Sequence, residues 1–266
     1  YSLNDQTASF ATPYGSFMRN FIVHTPPNFD YQTESLPLLF VLHGYTGRAP
    51  SMREYSGFDQ IADEERFIVV YVQGTRDQFG NTGWNVNVVA SFLGVDDVGF
   101  FKALIKYFKA SYNIDSNKIF SSGMSLGGFM SYRLACELEE INSIGSVTGS
   151  MAGYYQCNPP KKSSIIHFHG MNDAVVPYNG VEWSYSAKAA HDFWKNHNQC
   201  NSQNEITIPD FNGDGEYTTR LISYDCEDNK SVELYSLEGE GHTWWKKSWG
   251  HDINTSELIW QFFQSQ

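Results

Sequence analysis

The segment that most constrains the fold of this 266-residue chain is a glycine-rich turn between a predicted strand and a predicted helix. The apolar residues 118–122 lead into Gly123-Met124-Ser125-Leu126-Gly127, and a helical pattern follows over residues 126–138. In such a sharp turn the central serine is strained and side chains at both flanking positions would collide, so glycine occupies both. The helix N-terminus then directs free N–H groups at the serine. The context predicts a nucleophilic Ser125, and the alternative is a glycine-rich turn with an idle serine.

The rest of the chain alternates apolar stretches with amphipathic ones, which indicates an α/β fold with a mainly parallel sheet flanked by helices. Strands are predicted at residues 17–24, 36–42, 66–72, 118–122, 143–147, 164–168 and 232–237. Helices are predicted at residues 98–108, with Asp96 or Asp97 as N-cap, and at 126–138, 183–197 and 256–263. Polar residues 74–94 and 198–218 are expected to be loops. No repeat or linker divides the chain, so residues 1–266 are expected to form one domain.

Charge and hydropathy exclude several classes of partner. The formal net charge of -12 disfavours binding to nucleic acid and to anionic membranes. No apolar run approaches the roughly 20 residues that span a bilayer. The N-terminal residues have neither the basic nor the apolar region of a signal peptide, as expected also for a mature secreted chain.

The four cysteines favour an oxidising compartment. Cys200 and Cys226 flank a polar insertion that a disulfide would close, and Cys136 and Cys157 form the possible second pair. Four cysteines allow three pairings, and reduced cysteines are the alternative. We therefore expect a secreted protein with two disulfides.

A base and an acid for Ser125 are sought after strands, because sites in open α/β sheets gather at the carboxyl ends of strands. His242 follows the strand predicted at 232–237, with His251 on the same loop as the weaker candidate. Asp173 follows the strand predicted at 164–168, and its alternative role is to cap a turn. The order Ser125, Asp173, His242 is that of α/β-hydrolases.

Two backbone N–H groups are expected to hold a developing oxyanion. One belongs to Leu126, directly after the nucleophile, and the other to Tyr45, in the His43-Gly44 turn after an early strand. Neither a cofactor nor a metal is expected. The acidic residues 210–216 resemble the start of a calcium loop, but Leu221 stands where the bidentate Glu is needed, so a tight turn is the preferred interpretation.

Together these segments resemble the esterase family that includes feruloyl esterases and polyhydroxybutyrate depolymerases. The matching pieces occur in the family's order at residues 41–44, 83–85, 96–100, 123–128, 169–173, 176–178 and 241–244. The resemblance implies an α/β-hydrolase fold and a triad of Ser125, Asp173 and His242. The family commonly has Trp-Pro-Gly after the histidine, whereas this chain has Trp244-Trp245-Lys246, which affects the expected shape of the pocket rim.

The expected function is hydrolysis of a carboxylic ester through an acyl-enzyme. The leading substrate is a feruloyl-type ester, as a small molecule or linked to plant polysaccharide. Apolar contacts to its aromatic acyl group are expected from tryptophans in predicted loops, whose alternative role is core packing: Trp84, Trp244, Trp245 and Trp249. A short-chain polyhydroxyalkanoate polyester is the second candidate substrate. A non-catalytic binding protein on the same scaffold is the alternative of a different class.

Overall fold

A twisted mixed β-sheet forms the centre of the molecule. The structure, a computed structural model, describes residues 6–11 and 18–266, with side chains from residue 19 onward. Within these ranges the sheet has ten strands, and two further strands form a short separate ribbon. The strands are Gln6–Ala11 (β1), Met18–His24 (β2), Leu36–Leu42 (β3), Ile68–Val72 (β4), Thr75–Arg76 (β5), Thr82–Gly83 (β6), Ile114–Met124 (β7), Ser143–Val147 (β8), Ser164–Gly170 (β9), Ser202–Ile208 (β10), Thr218–Tyr224 (β11) and Val232–Leu237 (β12).

The strand order is β1-β2-β4-β3-β7-β8-β9-β12-β11-β10. The middle of the sheet, from β4 to β12, is parallel, whereas β1, β2, β10 and β11 are antiparallel to their neighbours. Every residue of β4, β8, β9 and β12 is buried, as expected for strands covered by helices on both faces. The parallel strands therefore end at one common edge.

Helices cover both faces of this sheet. They are Ala49–Ser56 (α1), Phe58–Glu65 (α2), Asp97–Ser111 (α3), Leu126–Glu137 (α4), Ala187–His197 (α5) and Thr255–Gln264 (α6). The period of two along β3 separates two cores. Leu38 and Phe40 pack with α3, α4 and α5 on one face, and Leu39 and Val41 pack with α1, α2 and α6 on the other. In the described part of the chain, no helix is long and apolar enough to cross a bilayer.

The α/β class and the parallel centre of the sheet are as predicted, and β3, β8 and β12 have the predicted bounds. Asp96 caps α3 by accepting a hydrogen bond from the N–H of Gly99 at 2.8 Å. The loop prediction for residues 198–218 is wrong, because β10 lies within that stretch and pairs with β11. Most of β10 is exposed at the edge of the sheet, so it lacks the apolar pattern by which a strand is recognised.

Two disulfides join cysteines in the expected pairs. Cys200 and Cys226 close the hairpin of β10 and β11 at its open end. Cys136 in the last turn of α4 is bonded to Cys157 in the segment that follows β8. The first bond therefore closes the hairpin at the edge of the sheet, and the second ties the segment after β8 to α4.

We predict that replacing both Cys200 and Cys226 by Ser lowers the free energy of unfolding by about 2–4 kcal/mol, because the unfolded chain regains the entropy of an open loop. Their sequence separation is 26 residues. Urea unfolding of the variant and the wild type measures the difference. Thiol titration should find no free cysteine in either protein. An unchanged midpoint would contradict a stabilising role for the bond.

Candidate active site

Ser125 lies in the turn that connects β7 to α4. Its backbone has φ 54° and ψ -123°, a left-handed conformation that costs a non-glycine residue energy. The N–H of Ser125 donates to the carbonyl oxygen of Val147 at 2.8 Å, which attaches the turn to β8. A Cβ at Gly123 would lie 2.5 Å from backbone atoms of Gly127, and one at Gly127 would lie 2.3 Å from the carbonyl oxygen of Leu42. The two glycines are therefore a steric requirement of the turn.

Asp173 follows β9 and its side chain is fully buried. Its Oδ1 accepts hydrogen bonds from the N–H groups of Val175 at 2.8 Å and Val176 at 2.9 Å. Its Oδ2 accepts from Nδ1 of His242 at 2.7 Å. Burial raises the pKa of Asp173, but the bonds from His242, Val176 and Val175 outweigh it and hold the pKa below its ordinary value. Asp173 is therefore an ionised acceptor at neutral pH.

His242 lies in the loop after β12, and 17% of its side chain is exposed. Because the Asp173 carboxylate accepts from Nδ1, the neutral imidazole carries its proton there and Nε2 is free to act as a base. Ser125 and His242 line the same cavity. No hydrogen bond joins their side chains among those of the described residues; such bonds commonly form only when substrate binds.

The cavity that Ser125 and His242 share has a volume of about 330 Å³. Its walls include the apolar side chains of Tyr45, Met52 and Met124 and the ring of Tyr55. An opening lined mainly by apolar groups, with a few polar atoms converging on one point, is typical of a small-molecule site. The arrangement suits a substrate with an apolar part next to a reactive carbonyl.

Leu126 and Tyr45 were expected from the sequence to supply two N–H groups; Leu126 directly follows Ser125, and Tyr45 lines the same cavity as Ser125. Leu126 is the first residue of α4, and the first N–H groups of a helix have no partner within it. The N–H of Tyr45 donates no backbone hydrogen bond among the described residues. The next two N–H groups fix the turn, since Thr46 donates to Thr82 at 2.8 Å and Gly47 donates to Gly44 at 3.0 Å.

His43 supports this turn from below. Its Nδ1 donates to the carbonyl oxygen of Gly44 at 2.7 Å, and its Nε2 accepts from the N–H of Gly74 at 2.9 Å. Burial lowers the pKa of His43 to about 4. A neutral imidazole is the form that satisfies both bonds, so His43 braces the turn.

The prediction that Trp84, Trp244 and Trp245 contact substrate is wrong, because all three side chains are fully buried. The indole N–H of Trp84 donates to the carbonyl oxygen of His43 at 2.8 Å, and that of Trp244 donates to Oγ of Ser256 at 3.0 Å. Trp245 packs in the core beside α1, α2 and α6. The three residues lie in loops, as the sequence indicated, but their large apolar rings point into the core beneath those loops.

Sequence reasoning missed the contribution of α1, which supplies Met52 and Tyr55 to the cavity. The sequence marks only the two ends of this helix: Pro50 lies in its first turn and Gly57, with φ 70°, is its C-cap. Eight residues between such signals are a short helix that an apolar pattern alone does not reveal.

The acidic residues after β10 form a tight turn. Asp210 accepts hydrogen bonds from the N–H groups of Gly213 at 2.6 Å and Gly215 at 2.9 Å. Its carboxylate is thus occupied by the backbone, the preferred interpretation of the sequence. Within the part of the chain that the structure describes, no group of three or more His, Cys, Asp or Glu side chains is arranged to hold a metal ion.

Comparison with known proteins finds no matching family model, but it does find relatives and similar folds. The chain is 25% identical over 237 residues to a bifunctional acetylxylan esterase/xylanase of Neocallimastix patriciarum, covering 85% of this chain and 31% of that protein. It is 26% identical to feruloyl esterase B of Piromyces equi, covering 84% of this chain and 42% of that protein. The chain thus spans less than half the length of either relative.

A solved acetyl xylan esterase from Aspergillus awamori has the same fold. It superposes with a TM-score of 0.68 at 15% sequence identity, over 98% of this chain and 100% of that one. At this level of identity the likeness concerns the fold alone.

We predict that Gly44→Ala slows the reaction of Ser125 with a fluorophosphonate probe by about tenfold, because the added methyl group displaces the serine by part of an ångström and a full ångström costs about 100-fold. The added methyl group would lie 3.1 Å from Cβ and 3.7 Å from Oγ of Ser125. Gly241→Ala is the matched control, since no atom lies within 4 Å of a Cβ there. Labelling at the same rate in both variants would show that Gly44 does not approach Ser125.

We also predict that acid destabilises the protein through its buried histidines. Burial lowers the pKa of His43, His167 and His169 in the folded state. Below about pH 6.5 the unfolded chain protonates these groups and the folded one does not, so each reduces the free energy of unfolding by about 1.4 kcal/mol per pH unit. For His43 this window extends down to its folded pKa of about 4.

Denaturant unfolding at pH 7, 6 and 5 measures this slope. The variant His43→Gln should have a shallower slope than the wild type by about 1.4 kcal/mol per pH unit, because one proton-binding group is removed. Equal slopes in the two proteins would contradict the assignment.

Proposed function

We propose that this chain is a member of the esterase family of feruloyl and acetylxylan esterases, and that it hydrolyses feruloyl-type esters of plant polysaccharide through an acyl-enzyme on Ser125. Both relatives are named as esterases, and the proposed activity of this chain is accordingly the hydrolysis of a carboxylic ester. The observation that carries the assignment to residues is the cavity shared by Ser125 and His242, with His242 hydrogen-bonded to Asp173 at 2.7 Å.

In the proposed mechanism, Oγ of Ser125 attacks the ester carbonyl while Nε2 of His242 takes the hydroxyl proton. Asp173 fixes the tautomer of His242 and stabilises the imidazolium that forms. The negative charge on the carbonyl oxygen is held by the N–H groups of Leu126 and Tyr45.

The tetrahedral intermediate collapses when its bond to the alcohol oxygen breaks and His242 returns the proton to that oxygen. Water then attacks the acyl group on Ser125, again with His242 as base, and the free acid leaves with Ser125 restored. Every proton that moves passes through Nε2 of His242, so the chemistry needs no group beyond the chain's own residues and water.

The acyl group of the substrate is argued from the size and lining of the cavity. A volume of about 330 Å³ is far larger than an acetyl group requires. Met52, Met124 and the ring of Tyr45 offer apolar contact of the kind that an aromatic acyl group needs. The name of the Piromyces equi relative supports the same acyl class.

An acetyl ester of xylan is the second candidate, favoured by the names of the Neocallimastix patriciarum relative and of the Aspergillus awamori structure. The polyhydroxyalkanoate polyester considered from the sequence has no such support among these comparisons. The non-catalytic scaffold is disfavoured by the hydrogen bond between His242 and Asp173 and by the cavity that His242 shares with Ser125.

We further propose that the protein acts outside the cell. The two disulfides are the supporting observation, because such bonds persist in oxidising compartments.

We predict that wild-type protein hydrolyses methyl ferulate and that Ser125→Ala abolishes both this activity and labelling by a fluorophosphonate. His242→Ala should lower kcat by about 10⁴-fold or more with the fold preserved, since no other group takes the proton from Ser125. Spectrophotometric release of ferulate measures the rates, and circular dichroism checks the fold.

Parallel assays on acetylated xylan and on polyester film identify the acyl class. Higher kcat/KM on acetylated xylan than on feruloyl esters would reject the feruloyl assignment and leave the mechanism standing. Undiminished hydrolysis by His242→Ala, with His251→Ala as the matched control, would reject the assigned base.

A further inference from the structure

We propose that Tyr55 and Trp249 form an aromatic subsite that binds the alcohol portion of the ester, a sugar ring, beside His242. The inference rests on the proposed function and deepens it. It assigns the side of the site through which the leaving group departs.

Tyr55 connects the cavity to the loop that carries His242. Its ring lines the cavity with Ser125. Its hydroxyl oxygen lies 2.9 Å from Oγ1 of Thr243 and accepts from the N–H of Trp244 at 3.1 Å. The two residues that follow His242 are thus held by this one side chain, which places the Tyr55 ring next to the base.

Trp249 extends this wall toward solvent. Its ring centroid lies 5.4 Å from that of Tyr55 with an angle of 34° between the planes. Nearly half of Trp249, 49%, is exposed, although Trp244 and Trp245 in the same segment are fully buried. A single exposed aromatic residue is ordinary on a protein surface, but this one packs on Tyr55, which lines the cavity.

The position of the pair identifies the part of the substrate it contacts. His242 returns its proton to the oxygen of the departing alcohol, so the alcohol portion must lie against the histidine loop. In the proposed mechanism the carbonyl oxygen faces the N–H groups of Leu126 and Tyr45 instead.

The chemistry of the pair favours a sugar. The C–H faces of a sugar ring are apolar and pack on aromatic rings, while the hydroxyl groups around the ring remain in water. Nζ of Lys246 lies 4.5 Å from the centroid of the Trp249 ring and supplies a hydrogen-bond donor for such hydroxyl groups. A flat ring with a polar rim fits this surface better than an alkyl chain does.

The test uses two esters of the same acid that differ in alcohol: methyl ferulate and a feruloylated arabinoxylo-oligosaccharide. Trp249→Ala should lower kcat/KM on the oligosaccharide ester by about tenfold, mainly through KM, and leave methyl ferulate within about twofold. Trp249→Phe should recover most of the loss, because it restores a flat aromatic ring.

Tyr224→Ala is the matched control. Tyr224 is exposed to a similar degree, 46%, at the end of β11 that lies beside the start of β12, away from His242. The control should leave both esters unaffected. An equal loss on both esters in Trp249→Ala, or no loss on either, would overturn the subsite.

A binding measurement separates this inference from the proposed function. Calorimetry with the ester-free arabinoxylo-oligosaccharide should detect binding to Ser125→Ala and at least tenfold weaker binding to the double variant with Trp249→Ala. Binding that depends on Trp249 supports the subsite even if feruloyl esters are not hydrolysed. Hydrolysis of methyl ferulate with binding indifferent to Trp249 would refute the subsite and leave the proposed function intact.

Discussion

The hydrogen bond between Nδ1 of His242 and Oδ2 of Asp173 is the contact on which the arrangement of the site depends. It joins the loops after β9 and β12, which are neighbouring parallel strands with ends at the same edge of the sheet. Because Asp173 is buried and ionised, loss of the imidazole would leave a charge without its partner. One interaction therefore orients His242, the proposed base, and stabilises the buried carboxylate of Asp173.

A buried chain of hydrogen bonds leads from α4 through β9 to the turn that holds Asp173. The hydroxyl of Tyr132 lies 3.0 Å from Nδ1 of His167, Nε2 of His167 lies 2.9 Å from Nδ1 of His169, and Nε2 of His169 lies 2.8 Å from the carbonyl oxygen of Val176. A carbonyl can only accept, so the last bond sets the direction of all three when both rings are neutral. Val176 also donates to Asp173, so the chain ends on the turn that holds the carboxylate. The polar interior of β9 is thus part of the support of the site.

The sequence predicted those features that local chemistry dictates. Ser125 was recognisable because a strand, a sharp turn with glycines and a helix surround it in the sequence. The strand β3 was recognisable because its buried residues form one continuous apolar run. The burial of Trp84 and Trp245 was not predictable, because the sequence around a tryptophan in a loop does not show whether its ring covers the core or lines a groove. The edge strand β10 was hidden for the opposite reason, because its stability comes from pairing and from a disulfide rather than from burial.

The contact between Tyr55 and Thr243 spans 188 positions of the chain and links α1 to the loop of His242. Tyr55, which lines the cavity, and the loop of His242, the proposed base, are therefore linked by one contact. A substitution in α1 that moves Tyr55 moves this loop as well, so the shape of the cavity and the position of the imidazole cannot be changed independently there. Trp249 packs on the ring of Tyr55 and not on its hydroxyl group, so a substitution at Trp249 leaves the contact with Thr243 in place.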